Sequence, residues 1–361
     1  MKGPFSESYA EARDKFLDAC AAAGLAAESL VHPQKGRDGE TLAMDVVRDG
    51  HPNAARLLIL TSGCHGVEGY CGSGIQIAAL RDAAWRERSR ERGVAVLYVH
   101  ALNPYGFSHI RRVTHENVDL NRNFHDFSRP LPANEGYREL HDLLLPPTWP
   151  PDAANQQAIG TILAQRGEAA LQAVITRGQH EFEDGMFFGG TSPTWSNRTF
   201  REVLRAHGHR AARIAWIDFH TGLGPPGIGE RILATRNDEA ALARARAWWD
   251  TESAKVTSIY DGSSTSAFLT GLMCSAVYDE CPQAEYTGLA LEYGTVPVLQ
   301  TLGALRAEHW LHLHPEAPRE LAAQIKQQMM QAFYTDSDVW REAVLAQGRE
   351  AMVQAVEGIS A

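Results

Sequence analysis

The chain has few cysteines, five in 361 residues, no CxxC pair among them, and no apolar run approaching the ~20 residues of a membrane span. An odd count argues against a closed disulfide framework, and without CxxC there is neither a knuckle-type zinc site nor a dithiol redox motif. Cys20, Cys64, Cys71, Cys274 and Cys281 are expected as small, half-buried thiols in a reducing compartment. Basic tracts are missing too. With 34 Lys and Arg against 44 Asp and Glu, the formal net charge is −10, and no concentrated positive surface is offered to nucleic acid. The stretch Met1–Ala10 is polar and acidic, without the apolar centre of a secretion signal, so a cytoplasmic protein with no membrane partner is the expectation. There is no internal repeat and no low-complexity segment.

What is present is a globular composition, 44% hydrophobic and 22% charged, enough for a sizeable core. Periodicity predicts a helix over 8–30, a half-buried strand over 41–48 and a strand buried on both faces over 56–61. A helix over about 73–92 and a buried strand over 94–99 complete a strand–helix–strand rhythm, the mark of a parallel sheet. Further strands are expected at 213–219, 231–235 and 287–292. Further helices are expected at 155–175, 197–207, 238–253, 298–312 and 317–357, the last broken near Thr335. Six prolines make 126–152 irregular. The expected architecture is a single α/β domain over 1–361, with a mixed, mainly parallel twisted sheet flanked by helices on both faces. Its core covers about 40–300, with a surface excursion at 126–200, C-terminal helices at 300–361 and some antiparallel pairing near 41–61.

Chemistry concentrates where buried strands end. In Ser62-Gly63-Cys64-His65-Gly66-Val67-Glu68-Gly69, a histidine and a glutamate stand three apart in glycine-rich backbone. In a turn, such spacing aims a ring nitrogen and a carboxylate at one point, and zinc takes both. Ligands of open α/β sheets gather at such strand ends. Another strand ends in Asp218-Phe219-His220-Thr221-Gly222, with Asp218 and Thr221 as candidates to orient the ring of His220. Glu292 interrupts the apolar strand Leu289–Leu291, where an acid is costly unless paired with an arginine or used as a base. Between these lie Asn103-Pro104-Tyr105-Gly106, Arg111-Arg112 and Asp119-Leu120-Asn121-Arg122-Asn123, rich in anion-binding donors. A salt-bridged structural role suits Arg111 best.

Taken in order, these motifs resemble the zinc carboxypeptidase family of metallopeptidases. Val118-Asp-Leu-Asn-Arg-Asn-Phe124, Asp218-Phe-His-Thr-Gly-Leu-Gly224 and the Gly189–Asn197 stretch look closest to an uncharacterised bacterial branch, known as a domain of unknown function. The resemblance spans roughly 40 to 300 and implies a phosphorylase/hydrolase-like fold with one Zn2+ per chain. It implies His65, Glu68 and His220 as zinc ligands, Glu292 as general base and acid, and Arg112 as oxyanion partner. Asn121 and Arg122 match the pair that binds a substrate's terminal carboxylate. The tyrosine that closes over substrate in digestive members is best matched by Tyr260, with Tyr278, Tyr286 and Tyr293 competing. Two departures stand out: Val67 where many relatives carry arginine, and Tyr105 where they carry aspartate.

The implied function is a metallopeptidase-like zinc hydrolase acting on an amide beside a free carboxylate. The alternative is an N-acyl amino acid deacylase of the aspartoacylase type, and a third reading is a zinc-binding protein without catalysis. The substrate is accordingly a peptide or a small acyl amino acid, and the aromatic residues Phe187, Phe188 and Trp195, with His180, are candidates to roof the site. A second metal would draw on Asp218, Asp119 or His125.

Overall fold

The computed structural model describes residues 3–361. Eight strands run in chain order: β1 (Ala27–Lys35), β2 (Thr41–Asp49), β3 (Arg56–Ser62), β4 (Val94–His100), β5 (Arg213–Pro226), β6 (Gly229–Leu233), β7 (Val256–Thr257) and β8 (Glu285–Gly294). They form one sheet in the order β1-β2-β4-β3-β5-β8-β6-β7. The centre, β4-β3-β5-β8, is parallel, while β2 runs antiparallel to both β1 and β4, and β6 antiparallel to β8. This is the mixed, mainly parallel α/β sheet that the apolar runs foretold.

Four consecutive residues of β3, Leu57 to Leu60, are fully buried, which requires cover on both faces of the sheet. Leu58 and Leu60 enter one apolar cluster, while Leu57 and Ile59 enter another on the opposite face. The cover comes from α1 (Tyr9–Ala22), α2 (Gly69–Arg81), α3 (Ala83–Glu91) and the short α4 (Pro104–Ser108), then α5 (Glu135–Arg138), α6 (His141–Leu144), α7 (Ala153–Arg166) and α8 (Glu168–Thr176) of the excursion. After these come α9 (Trp195–Gly208), α10 (Glu239–Trp249), α11 (Ser275–Glu280), α12 (Val298–Leu313), α13 (Arg319–Phe333) and α14 (Asp338–Ser360). The helix pair α13 and α14 is interrupted at 334–337, around Thr335 as expected. None of the described helices is long and apolar enough to cross a membrane.

The structure departs from the sequence pattern at three places. The expected helix over 8–30 stops at Ala22, and residues 27–35 form β1 instead. Gly24, at φ +71°, turns the chain there, and pairing with β2 outweighs helix propensity. The helix over 73–92 is two helices, because the Asp82 side chain accepts from Trp85 N–H and caps a new one. Gly167, at φ +79°, likewise divides 155–175 into α7 and α8.

Two glycines of the His65–Glu68 segment are set by geometry. Gly63 adopts φ +67°, turning the chain off β3. A Cβ on Gly66 would stand 2.0 Å from the backbone carbon of Gly106. Gly66→Ala is therefore expected to destabilise the protein by about 3 kcal/mol or more through overpacking against backbone that cannot rotate aside. Urea denaturation measures this, and a loss within experimental error would show that the contact is soft.

Candidate metal centre

The site is assembled by strand register. Asp218 pairs with Thr61 of β3, and His220 pairs with Glu292 of β8. Since side chains alternate across a strand, Asp218, His220 and Glu292 share one face at the carboxyl end of the parallel strands. Beyond β3, one turn of 3-10 helix (Gly66–Glu68) carries His65 and Glu68 into α2. The backbone N–H groups of Gly66 and Val67 donate to the carbonyls of Arg112 and Arg111, which fixes the arginine segment beside this turn.

His65, Glu68 and His220 converge, each offering a donor atom within 4.8 Å of the others. Nδ1 of His65 lies 2.8 Å from Glu68 Oε1, and Nδ1 of His220 lies 2.9 Å from Glu68 Oε2. Each ring is held from behind by a buried carboxylate: His65 Nε2 stands 3.2 Å from Asp119 Oδ1, and His220 Nε2 stands 2.7 Å from Asp218 Oδ2. Asp218 is fixed in turn by the Thr61 hydroxyl, which donates at 2.5 Å, and Trp216 Nε1–H donates to that hydroxyl at 2.7 Å. This is the outer-sphere pattern that sets ring orientation and tautomer in metal-binding histidines. Thr221 does not orient His220 through its side chain. Its hydroxyl donates to Phe333 O, while its backbone N–H donates to Glu68 Oε2 at 3.2 Å.

The electrostatics follow the contacts. Burial opposes ionisation of Glu68, but the facing rings of His65 and His220 outweigh it and hold the carboxyl well below the usual range. Burial also opposes protonation of His220, yet Asp218 and Glu68 carry its ring well above the usual histidine value. Glu292 moves the other way: burial and the charge of Glu68 push it up to about 8. It has no arginine partner among the described residues, and its Oε1 accepts from Leu223 N–H at 2.9 Å. A mixed nitrogen and carboxylate donor set with carboxylate-backed rings fits zinc. The group Cys64, Asp218 and His220 is also compact, but Asp218 already holds the His220 ring and accepts from Thr61, and burial followed by the charge of Asp218 pushes the Cys64 thiol well above its usual range.

Arg112 reaches this centre, as the motif implied. Its Nε–H donates to Asp119 at 2.9 Å, and the guanidinium lies over the Phe187 ring at 5.1 Å. Arg122 and Asn121 line the same cavity, of ≈ 140 Å³. The Arg122 guanidinium, however, gives three N–H groups to the carbonyls of Thr176 and Asn121, leaving two of its five for anything else. Tyr260 is not at the centre. Its hydroxyl donates to Thr235 O and its ring lines an adjoining groove. Tyr286 and Tyr293 likewise donate to backbone, and no tyrosine lines the metal-centre cavity among the described residues. Of the aromatic roof candidates, Phe187 alone lines it; Trp195 packs on His32 and His180 bonds Gly190 O. The larger roof comes from α8, through Leu171 and Ile175. His125 faces His180 at 5.0 Å, away from the donors. Arg111 is the buried partner of Glu308, at 2.9 Å. All five cysteines are free and buried.

The fold and this strand-end cluster define an α/β protein with a candidate metal-binding centre. Residues 5–347 match the family described as "Protein of unknown function (DUF2817)", and the chain belongs to that family. Among solved structures it is similar to thrombin activatable fibrinolysis inhibitor, at 11% identity and a TM-score of 0.51, covering 97% of this chain and 74% of that one. A metallo-carboxypeptidase from Burkholderia cenocepacia is similar at 12% identity and TM-score 0.44, covering 98% and 69%. A succinylglutamate desuccinylase/aspartoacylase from Rhodobacter sphaeroides follows at 14% identity and TM-score 0.37, covering 81% and 65%. The likeness to thrombin activatable fibrinolysis inhibitor, at this identity, speaks for fold alone. No curated protein matches the chain.

The position of Glu292 has a measurable consequence in metal-free protein. A carboxyl raised from 4.5 to about 8 by folding binds its proton more tightly in the native state. Its contribution to stability is full below the unfolded value and is lost as pH rises through the folded one. Glu292→Gln is expected to gain stability relative to wild type as pH rises from roughly 4.5 to 8. Thermal unfolding of both proteins across that range checks it. A pH-independent difference would remove the buried, Glu68-facing carboxyl from consideration.

Proposed function

We propose that this protein is a zinc-dependent amide hydrolase, carboxypeptidase-like, acting on a substrate that carries a free carboxylate. The observation that carries the reading is the convergence of two carboxylate-backed Nδ1 atoms and Glu68 beside an unpaired glutamate, Glu292, in register with His220. His65, Glu68 and His220 would hold one zinc ion per chain. When bound, zinc supplies Lewis acidity and makes water a nucleophile near neutral pH.

The remaining steps belong to the protein. Leu223 N–H anchors Oε1 of Glu292, leaving Oε2 to take a proton from the attacking water. The carbon–oxygen bond forms as the carbonyl π electrons move onto oxygen; the oxyanion then collapses as the carbon–nitrogen bond breaks, and Glu292 gives its proton to the leaving nitrogen. Holding zinc through Nδ1 would leave the His65 Nε2–H to Asp119 and free the Arg112 NH2, 2.8 Å from Nε2, for a developing oxyanion. The Asn121 amide, whose Oδ1 accepts Met273 N–H, and the two remaining Arg122 N–H groups are the donors for a substrate carboxylate.

A second reading, an N-acyl amino acid deacylase, is favoured by the roof. Leu171 and Ile175 of α8 give the cavity an aliphatic wall, which suits an acyl group over a long peptide.

Purified protein is expected to carry about one zinc per chain. Glu292→Gln should keep that metal and lose about 10²- to 10⁴-fold in turnover, assayed on both C-terminal peptides and N-acyl amino acids. Unchanged turnover in this variant would sink the catalytic assignment, and stoichiometric zinc with no amide hydrolysed by wild type would leave a zinc-binding protein. Separately, Asp218→Asn should weaken zinc binding about 10- to 100-fold in a chelator competition, because the His220 ring loses its holder.

A further inference from the structure

The metal-centre cavity has a mostly apolar outer wall, built from α8, α12 and the loop Ile259–Leu272. A second cavity, of ≈ 220 Å³, lies against that wall. Leu171 and Ile175 of α8, with Leu299 and Leu302 of α12, line both cavities. The far side of the second cavity is formed by α6 and α7, through residues such as Leu144, Ile159, Ile162 and Leu163. The one charged side chain there among the described residues, Arg306, is bonded to the carbonyls of Leu143 and Leu144 and to Asn155.

The state of α7 is informative. No residue of α7 is fully buried, and Ile159, Ile162 and Leu163, its apolar face, are half-buried toward this cavity. On the opposite wall, Leu299 is 44% exposed. Aliphatic side chains on both walls thus keep surface that an apolar occupant would cover.

We infer that the two cavities together are the binding site for a long aliphatic chain of the substrate, an acyl chain in amide linkage whose carbonyl sits at the metal centre. The inference rests on the amide-hydrolase reading for its chemistry, but not for its site. Hydrolysis adds water across the carbon–nitrogen bond and yields the fatty acid and the free amine, with the proton passing to nitrogen. An extended peptide is the poorer occupant. Its backbone N–H and C=O groups would enter a space whose only charged group is already bonded, and each such group costs free energy when left without a partner. An alkyl chain needs no partners.

Gly303 provides the test, because it lines the far cavity and an added Cβ would meet nothing within 4 Å. Replacing a mid-helix glycine also favours α12, so the variants should fold. Fatty-acid binding to the full-length protein is read by displacement of a fluorescent fatty acid, with octanoate, decanoate and dodecanoate as probes. Affinity is expected to rise about three- to fourfold per added methylene, the equivalent of about 0.8 kcal/mol each. Gly303→Ala, Gly303→Leu and Gly303→Phe should weaken dodecanoate progressively, by at least tenfold for phenylalanine. Binding that is absent, independent of chain length, or untouched by Gly303→Phe overturns the proposal. Hydrolysis is measured in parallel on N-acetyl, N-octanoyl and N-dodecanoyl amino acids. Chain-length-dependent binding without amide hydrolysis would uphold the acyl site and defeat the hydrolase reading. Hydrolysis of short amides with no fatty-acid binding would do the reverse.

Discussion

One buried carboxylate organises this protein's centre. Glu68 is 1% exposed and ionised, an arrangement that would be strongly unfavourable alone. It persists because two imidazole rings face its two oxygens and Thr221 N–H adds a hydrogen bond. Those rings are in turn held by Asp119 and Asp218, and Asp218 by Thr61 and Trp216. The chain of contacts crosses from β3 to β5, so the parallel pairing of these strands and the charge balance of the site are the same constraint. Burial raises the proton affinity of Glu292, and Glu68 adds to it, since two neighbouring carboxyl groups in a low-dielectric setting resist joint ionisation.

The surroundings change in character with distance from this centre. At the metal centre the polar groups are concentrated and mutually bonded; beyond it the walls become aliphatic. The excursion that separates the arginine-bearing loop from β5 supplies α7 and α8, and so decides the shape of the approach. Arg122 shows the cost of that shape. Thr176, the last residue of α8, takes two of its N–H groups, so the excursion both roofs the cavity and restrains a carboxylate-binding candidate.

Much of the centre was legible because each residue sits where a buried strand ends. The uninterrupted Leu57–Leu60 run can only be a strand covered on both faces, and Glu292 within Leu289–Leu291 has no apolar reason to be there. Asp119 was visible as the head of Asp-x-Asn-Arg-Asn, but nothing local linked it to His65, 54 positions away. Tyr260 failed for the opposite reason. A tyrosine at a suitable distance along the chain carries no information on where its hydroxyl points, and this one points to Thr235 O.

The amino-acid sequence by itself determined the α/β class and the parallel centre, as consequences of local period. The candidate metal ligands came from motifs that stand in the order they have in zinc carboxypeptidases. Only the tertiary structure decided which carboxylates orient which rings, that Glu292 stands in register with His220, and that α8 spends much of Arg122's donor capacity. It alone set an aliphatic cavity against the metal-centre cavity, with four side chains lining both. Contacts between residues far apart in the chain depend on strand register and helix packing, which are properties of the whole fold and leave no mark on any single segment.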